Sequence, residues 1–151
     1  MANERWLSIR LELLSGRDLV LEHPPARVMI AGPRHTLAEL AEAIDLAFAR
    51  WDRSHLHQFT LADGRDTCPA RASFSQRCWT APAPGSTLLA FVPNAEFEYV
   101  FDLGDEWRHH CRVEATDIDP VKEYGAQPKL PVPIWGWGWI PDQYGRTKAD
   151  E

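Results

Sequence analysis

Phe97-Glu98-Tyr99-Val100-Phe101-Asp102-Leu103-Gly104-Asp105-Glu106-Trp107-Arg108-His109-His110-Cys111-Arg112-Val113-Glu114-Ala115 is the stretch that decides the fold. Residues 97–101 and 107–115 read as two strands, rich in aromatic and β-branched side chains and joined by a tight turn at Leu103-Gly104-Asp105. Alternation along the second strand puts Trp107, His109, Cys111 and Val113 on one face and Arg108, His110, Arg112 and Glu114 on the other. His109 therefore points inward, where a neutral imidazole needs partners for both ring nitrogens. Asp102, Asp105 or a histidine from an earlier segment could supply them. His110 reads as a solvated surface residue.

Upstream, Leu7, Ile9, Leu11 and Leu13 alternate with polar neighbours as in a half-buried strand, and Ser15-Gly16 marks a turn. Short strands over 19–21 and 27–30 complete an opening meander. Thr36 and Glu39 form a capping box ahead of an apolar stripe made of Leu37, Leu40, Ile44, Ala47, Phe48 and Trp51. That stripe predicts an amphipathic helix lying on the sheet. Residues 56–61 read as another strand, 62–86 as a long loop with a short strand near 73–79, and 88–92 as a further strand. From Asp117 onward the chain holds five of its 12 prolines and little alternation, which predicts an extended tail laid over the body.

The chain has 151 residues, a formal charge of -6 and a hydrophobic fraction of 44%, as expected of one soluble domain. Phosphate binding needs clustered Lys and Arg, and here acids outnumber bases in every third of the chain, so the charge disfavours nucleic acid as a partner. The three cysteines, Cys68, Cys78 and Cys111, fit neither a disulfide framework nor a paired zinc signature. No apolar leader stretch and no run long enough to span a membrane occur, so the expected location is the cytoplasm. A Gly-rich phosphate loop, a nucleophile elbow and a His-Glu-x-x-His helix are all missing from the sequence.

Two segments concentrate ionisable groups. In Ser54-His55-Leu56-His57-Gln58-Phe59, a strand starting at His55 would set His55 and His57 on one face, sterically able to share a metal ion. Between Glu96 and Glu106 stand five acids and no base. Together the segments form a candidate divalent metal set of His55, His57, Asp105 and His109, although His, Asp and Trp around a tight turn are more often a structural hydrogen-bond network. Trp135, Trp137 and Trp139, separated by glycines, form either an aromatic platform for a base, a sugar or a proline-rich peptide, or a plug for the open side of the sheet. The plug is favoured, because indoles exposed together make a sticky patch.

The run from Phe97 to His109, with His55-Leu56-His57-Gln58-Phe59 before it and Glu114 after it, resembles the Ri-plasmid (pRiA4b) ORF-3-like family, also labelled as insertion-element passenger proteins. The resemblance covers about residues 5–123, and its Asp-x-Gly-Asp-x-Trp-x-His core is specific. It implies an α+β fold with one mixed or antiparallel sheet under a covering helix, and no established activity or cofactor. Carried over position by position, it marks His55, Asp102, Asp105, Trp107, His109 and Glu114, and with His57 these make the expected binding cluster. The tail departs from the family, which usually has a Cys and a Pro-Pro-Glu-Asp-Cys-Gly-Gly run there.

The expectation is thus a single α+β domain over 1–125 with an extended Pro/Trp/Gly tail, 126–151, packed on it. Its expected role is a non-catalytic binding or accessory module, with an unidentified ligand or protein partner and a homodimer as one option. The alternatives are a metal-dependent hydrolase or nuclease using His55, Asp102, Asp105 and His109, and a nucleic-acid-binding accessory of a mobile element.

Overall fold

The computed structural model describes residues 4–52, 56–61, 86–89 and 91–144. The elements in order are β1 (Trp6–Gly16), β2 (Leu19–Val20), β3 (Ala26–Ala31), α1 (Leu37–Ala47), β4 (His57–Leu61), β5 (Glu96–Phe101), β6 (Trp107–Ile118), α2 (Pro120–Tyr124) and β7 (Val132–Trp137). The strands make one seven-stranded sheet in the order β4-β5-β6-β1-β3-β7, with β2 paired to β1. Each pairing is antiparallel. The fold is α+β, as expected, but richer in sheet.

Alternation in β1 fixes the two faces. Leu7, Ile9, Leu11 and Leu13 are fully or almost fully buried and join Met29, Tyr99, Phe101, Trp107, Cys111 and Val113 in the main core. Over that face lies α1, through Leu37, Leu40, Ala41, Ile44 and Phe48. Each large aliphatic side chain buried in this way stabilises the fold by roughly 1.5–3 kcal/mol. The capping box forms as the sequence predicts, with Thr36 Oγ1 accepting from the Glu39 amide at 3.1 Å and Glu39 Oε1 accepting from the Thr36 amide at 2.9 Å. The helix ends sooner than its stripe suggests. Phe48 is the C-cap and Ala49 adopts a left-handed φ of 58°, so Trp51 leaves the stripe, half exposed, with its ring edge-on to Tyr144 at 5.0 Å.

Two expectations for the second half need correction. The described residues of 88–92, namely 88, 89, 91 and 92, do not form a strand. The buried Leu88 instead donates its amide to the carbonyls of Pro33 and His35, pinning the chain beside the start of α1, and Phe91 turns back to bond Leu88. The tail is also more than an extended cover, because Val132–Trp137 pairs with β3 as an edge strand. An edge needs partners on one side only, which is why Pro133 is tolerated within it. His35 helps hold the connection to β7. Its Nδ1 accepts from the Gly32 amide at 2.8 Å, which leaves Nε2–H to donate to the Lys129 carbonyl at 2.9 Å. The expected strand at 73–79, with Cys68 and Cys78, lies outside the described residues. Among the described residues no helix is long and apolar enough to cross a membrane.

Candidate functional site

Of the residues predicted as one polar cluster, His109 joins an interior network and Asp102 and Asp105 form a turn, while His57 and Glu114 lie at exposed positions of β4 and β6. His109 is wholly buried. Its Nε2 lies 3.1 Å from Arg50 Nη2 and its Nδ1 lies 3.0 Å from the Tyr99 carbonyl oxygen. A guanidinium only donates and a carbonyl only accepts, so the imidazole must be neutral with its proton on Nδ1. Burial, followed by the Arg50 charge, pushes its pKa down to about 3. Arg50 is also buried. It donates to the Phe48 carbonyl at 2.7 Å and places its guanidinium carbon 4.9 Å from the Trp107 ring and 5.8 Å from the Phe101 ring. Burial lowers its pKa to about 10, against the opposing pull of Asp45, so it stays charged at neutral pH. Asp45, buried on α1, accepts from the Tyr99 hydroxyl at 2.8 Å. Burial and that carboxylate together hold the phenol far above its ordinary range.

Neither ring nitrogen of His109 is therefore open to a metal, and a cation already sits beside it. Asp102 shapes the turn, since its Oδ1 accepts from the amides of Gly104 at 3.0 Å and Asp105 at 3.2 Å. His57 is exposed at the β4 edge, its ring 5.7 Å from that of Tyr99. Glu114 is exposed on β6. His55 lies outside the described residues. Among the described residues no three His, Cys, Asp or Glu side chains converge as metal ligands.

The turn borders a cleft of about 240 Å³ between itself and the β1–β2 hairpin. Gly104, Asp105, Glu106 and Arg108 form one wall, and Gly16, Arg17, Asp18, Leu19 and Val20 the other. The Arg17 amide donates to the Asp105 carbonyl at 2.7 Å, and the two side chains approach to 4.0 Å. Gly16 lies on the Trp107 ring so closely that an added Cβ would stand 2.1 Å from a ring carbon. Within Asp102-x-Gly104-Asp105-x-Trp107-x-His109, then, Asp102 caps the turn, Gly104 and Asp105 face the cleft, and Trp107 seats the hairpin. His109 and Arg50 support Trp107 from inside.

The opposite face of the sheet carries a charged ladder. Arg10 pairs with Glu12 at 3.0 Å, Arg108 with Glu98 and with Glu106 (3.4 Å), and His110 with Glu96 at 3.5 Å. His110 is thus a half-exposed surface residue. Register places Trp135 beside Val28 and Arg10, and Trp137 beside Ala26 and Glu12, so both indoles flank this ladder. Trp135, Trp137 and Trp139 are 67%, 42% and 76% exposed, which corrects the expectation that they plug the sheet.

The model of the plasmid pRiA4b ORF-3-like proteins matches residues 18–132, about three quarters of the chain. The chain belongs to that family. The match to the ORF-3-like model ends where β7 begins, so the Trp-Gly repeat lies beyond it. No curated protein matches the sequence. A crystal structure of a protein of unknown function from Methanosarcina mazei Go1 is similar in fold. It has a TM-score of 0.63 and 20% identity, over 89% of this chain and 70% of that one.

Sequence reasoning missed Asp45, Arg50 and Tyr99 as partners within this ORF-3-like domain. Asp45 carried a signal, because it continues the four-residue spacing of Leu37 and Ala41 into the buried side of α1. Tyr99→Phe removes a hydrogen bond to a charged acceptor and is expected to destabilise by about 1.5–3 kcal/mol in chemical denaturation. A second expectation concerns pH. The unfolded His109 binds a proton near pH 6.5 and the folded one only near 3, so between these values the unfolded state holds more protons. His109 should therefore stabilise fully above pH 6.5 and lose that contribution as pH falls toward 3, by up to about 1.4 kcal/mol per pH unit. A His109→Gln variant in urea melts at several pH values checks this by showing a flatter profile.

Proposed function

We propose that this chain is a non-catalytic binding module whose cleft takes an extended segment of a protein partner. The lining of the cleft carries the reading. It presents Arg17 and Arg108 against Asp18, Asp105 and Glu106, so it suits a ligand bearing both signs of charge. Leu19 and Val20 in its wall are exposed by 53% and 84%, an apolar collar that a peptide side chain would cover. A small metabolite would leave that collar in water. The occupied nitrogens of His109 and the capping role of Asp102 also support binding, since they commit both side chains to the fold.

The test is selection of displayed peptides against the intact protein, followed by affinity measurement on variants. Arg17→Ala and Asp105→Asn, both at half-exposed positions, should weaken a selected peptide at least about tenfold while leaving the fold intact. Peptides that bind both variants as well as the parent would overturn the assignment. So would turnover of a phosphodiester or peptide substrate that stops in Asp105→Asn.

A further inference from the structure

We propose that the β7 edge is a second, separate binding site, which stacks the rings of an uncharged sugar chain on Trp135 and Trp139 and hydrogen-bonds their hydroxyls to the Arg10–Glu12 pair beside them. Three indoles exposed within five residues are unusual for a surface that meets only water. Among the described residues neither Trp135 nor Trp139 makes a ring contact, so the faces of both are open to a flat, partly apolar ligand. Trp137 is different. The Arg10 guanidinium lies over its ring at 4.8 Å and fixes it against the sheet, so it borders the platform as a rigid wall.

Charge selects among the ligands that indoles can stack. A nucleic acid would bring phosphates to a place where the Arg10 guanidinium is already held by Glu12. It would have to displace that carboxylate and then lie beside it, in a chain of net charge -6. A proline-rich peptide offers carbonyl acceptors to the arginine but few donors to the glutamate. Sugar hydroxyls both donate and accept, so they can bridge an Arg–Glu pair without breaking it. The glycines serve the same arrangement. An added Cβ at Gly136 would stand 2.5 Å from the Arg27 side chain, and Gly138, at φ 90°, turns the chain after β7 so that Trp139 leaves the strand at its end.

Calorimetric titration of the full chain with cellohexaose, chitohexaose, xylohexaose and maltohexaose tests the proposal, with a dodecamer of thymidylate and a proline-rich decapeptide as competitors. The expected result is binding of at least one hexaose with a dissociation constant below about 1 mM, changing less than about twofold between low and high salt. Trp135→Ala should weaken it at least about tenfold and Trp135→Phe should restore most of the loss, with unchanged melting. No binding to any hexaose would overturn the proposal, as would an undiminished affinity in Trp135→Ala. Binding of the thymidylate that needs Trp135 and collapses with salt would reassign the surface to nucleic acid, and salt-independent binding of the decapeptide alone would reassign it to peptide. None of these outcomes bears on the cleft, whose own test uses Arg17 and Asp105.

Discussion

Arg50→Ala is expected to lower the unfolding free energy by about 3–5 kcal/mol, the range for breaking a buried charged network from one side. The guanidinium fills a space bounded by Trp107, Phe101 and His109, and its removal leaves both a cavity and an imidazole lone pair with no donor. It also releases the charge that helps keep His109 neutral, so the folded pKa of that histidine should rise from about 3. Urea denaturation reads the first effect and histidine NMR titration the second. Arg50→Lys should rescue little, because an ammonium lacks the planar fork that donates to the Phe48 carbonyl and His109 together. An Arg50→Ala protein within 1 kcal/mol of the parent, as an order-of-magnitude threshold, would show that the cage adds little to stability.

Gly16→Ala should be the most damaging small substitution, at about 3 kcal/mol, the upper end of the usual overpacking range. Three carbons of the Trp107 ring lie within 2.7 Å of the new Cβ position, and that ring is itself fixed from below by Arg50. Neither partner can step aside without moving the other. The hairpin must lift, which opens the cleft and stretches the backbone bond from Arg17 to Asp105. Peptide affinity should therefore fall together with stability, whereas Arg17→Ala should reduce affinity alone. A Gly16→Ala variant that retains both would mean that the hairpin does not rest on Trp107.

How much of this was legible in the sequence depended on the range of the interaction. The period-2 alternation of β1 and β6, the capping box of α1 and the inward aim of His109 are local signals, and each appears in the structure where it was read. Strand β7 was not legible. Pro131, Pro133, Gly136 and Gly138 remove the propensity and alternation that mark a strand, and only pairing with β3 makes one of this segment. The apolar run at 88–92 misleads in the other direction, since Leu88 serves as an anchor rather than a strand residue. The partner of His109 was invisible for a different reason. Acids of the nearby turn are the partners that proximity in sequence suggests, yet the turn's own amides claim Asp102, and the imidazole bonds instead to an arginine beyond the end of a helix. The family resemblance identified the signature residues but not their division of labour between turn, hairpin seat and interior support.

The placement of β1 at the centre of the sheet has a consequence for biosynthesis. One of its edges is closed early by β3, but the other waits for β6, so that Leu11 finds its cross-strand neighbour Cys111 only when most of the chain has been made. Until then a nascent chain displays an open strand edge and the row Leu7, Ile9, Leu11 and Leu13 without its full cover. Non-local pairing of this kind folds slowly and leaves intermediates prone to association. Stalled or truncated chains ending before β6 should therefore be the species that aggregate and recruit chaperones.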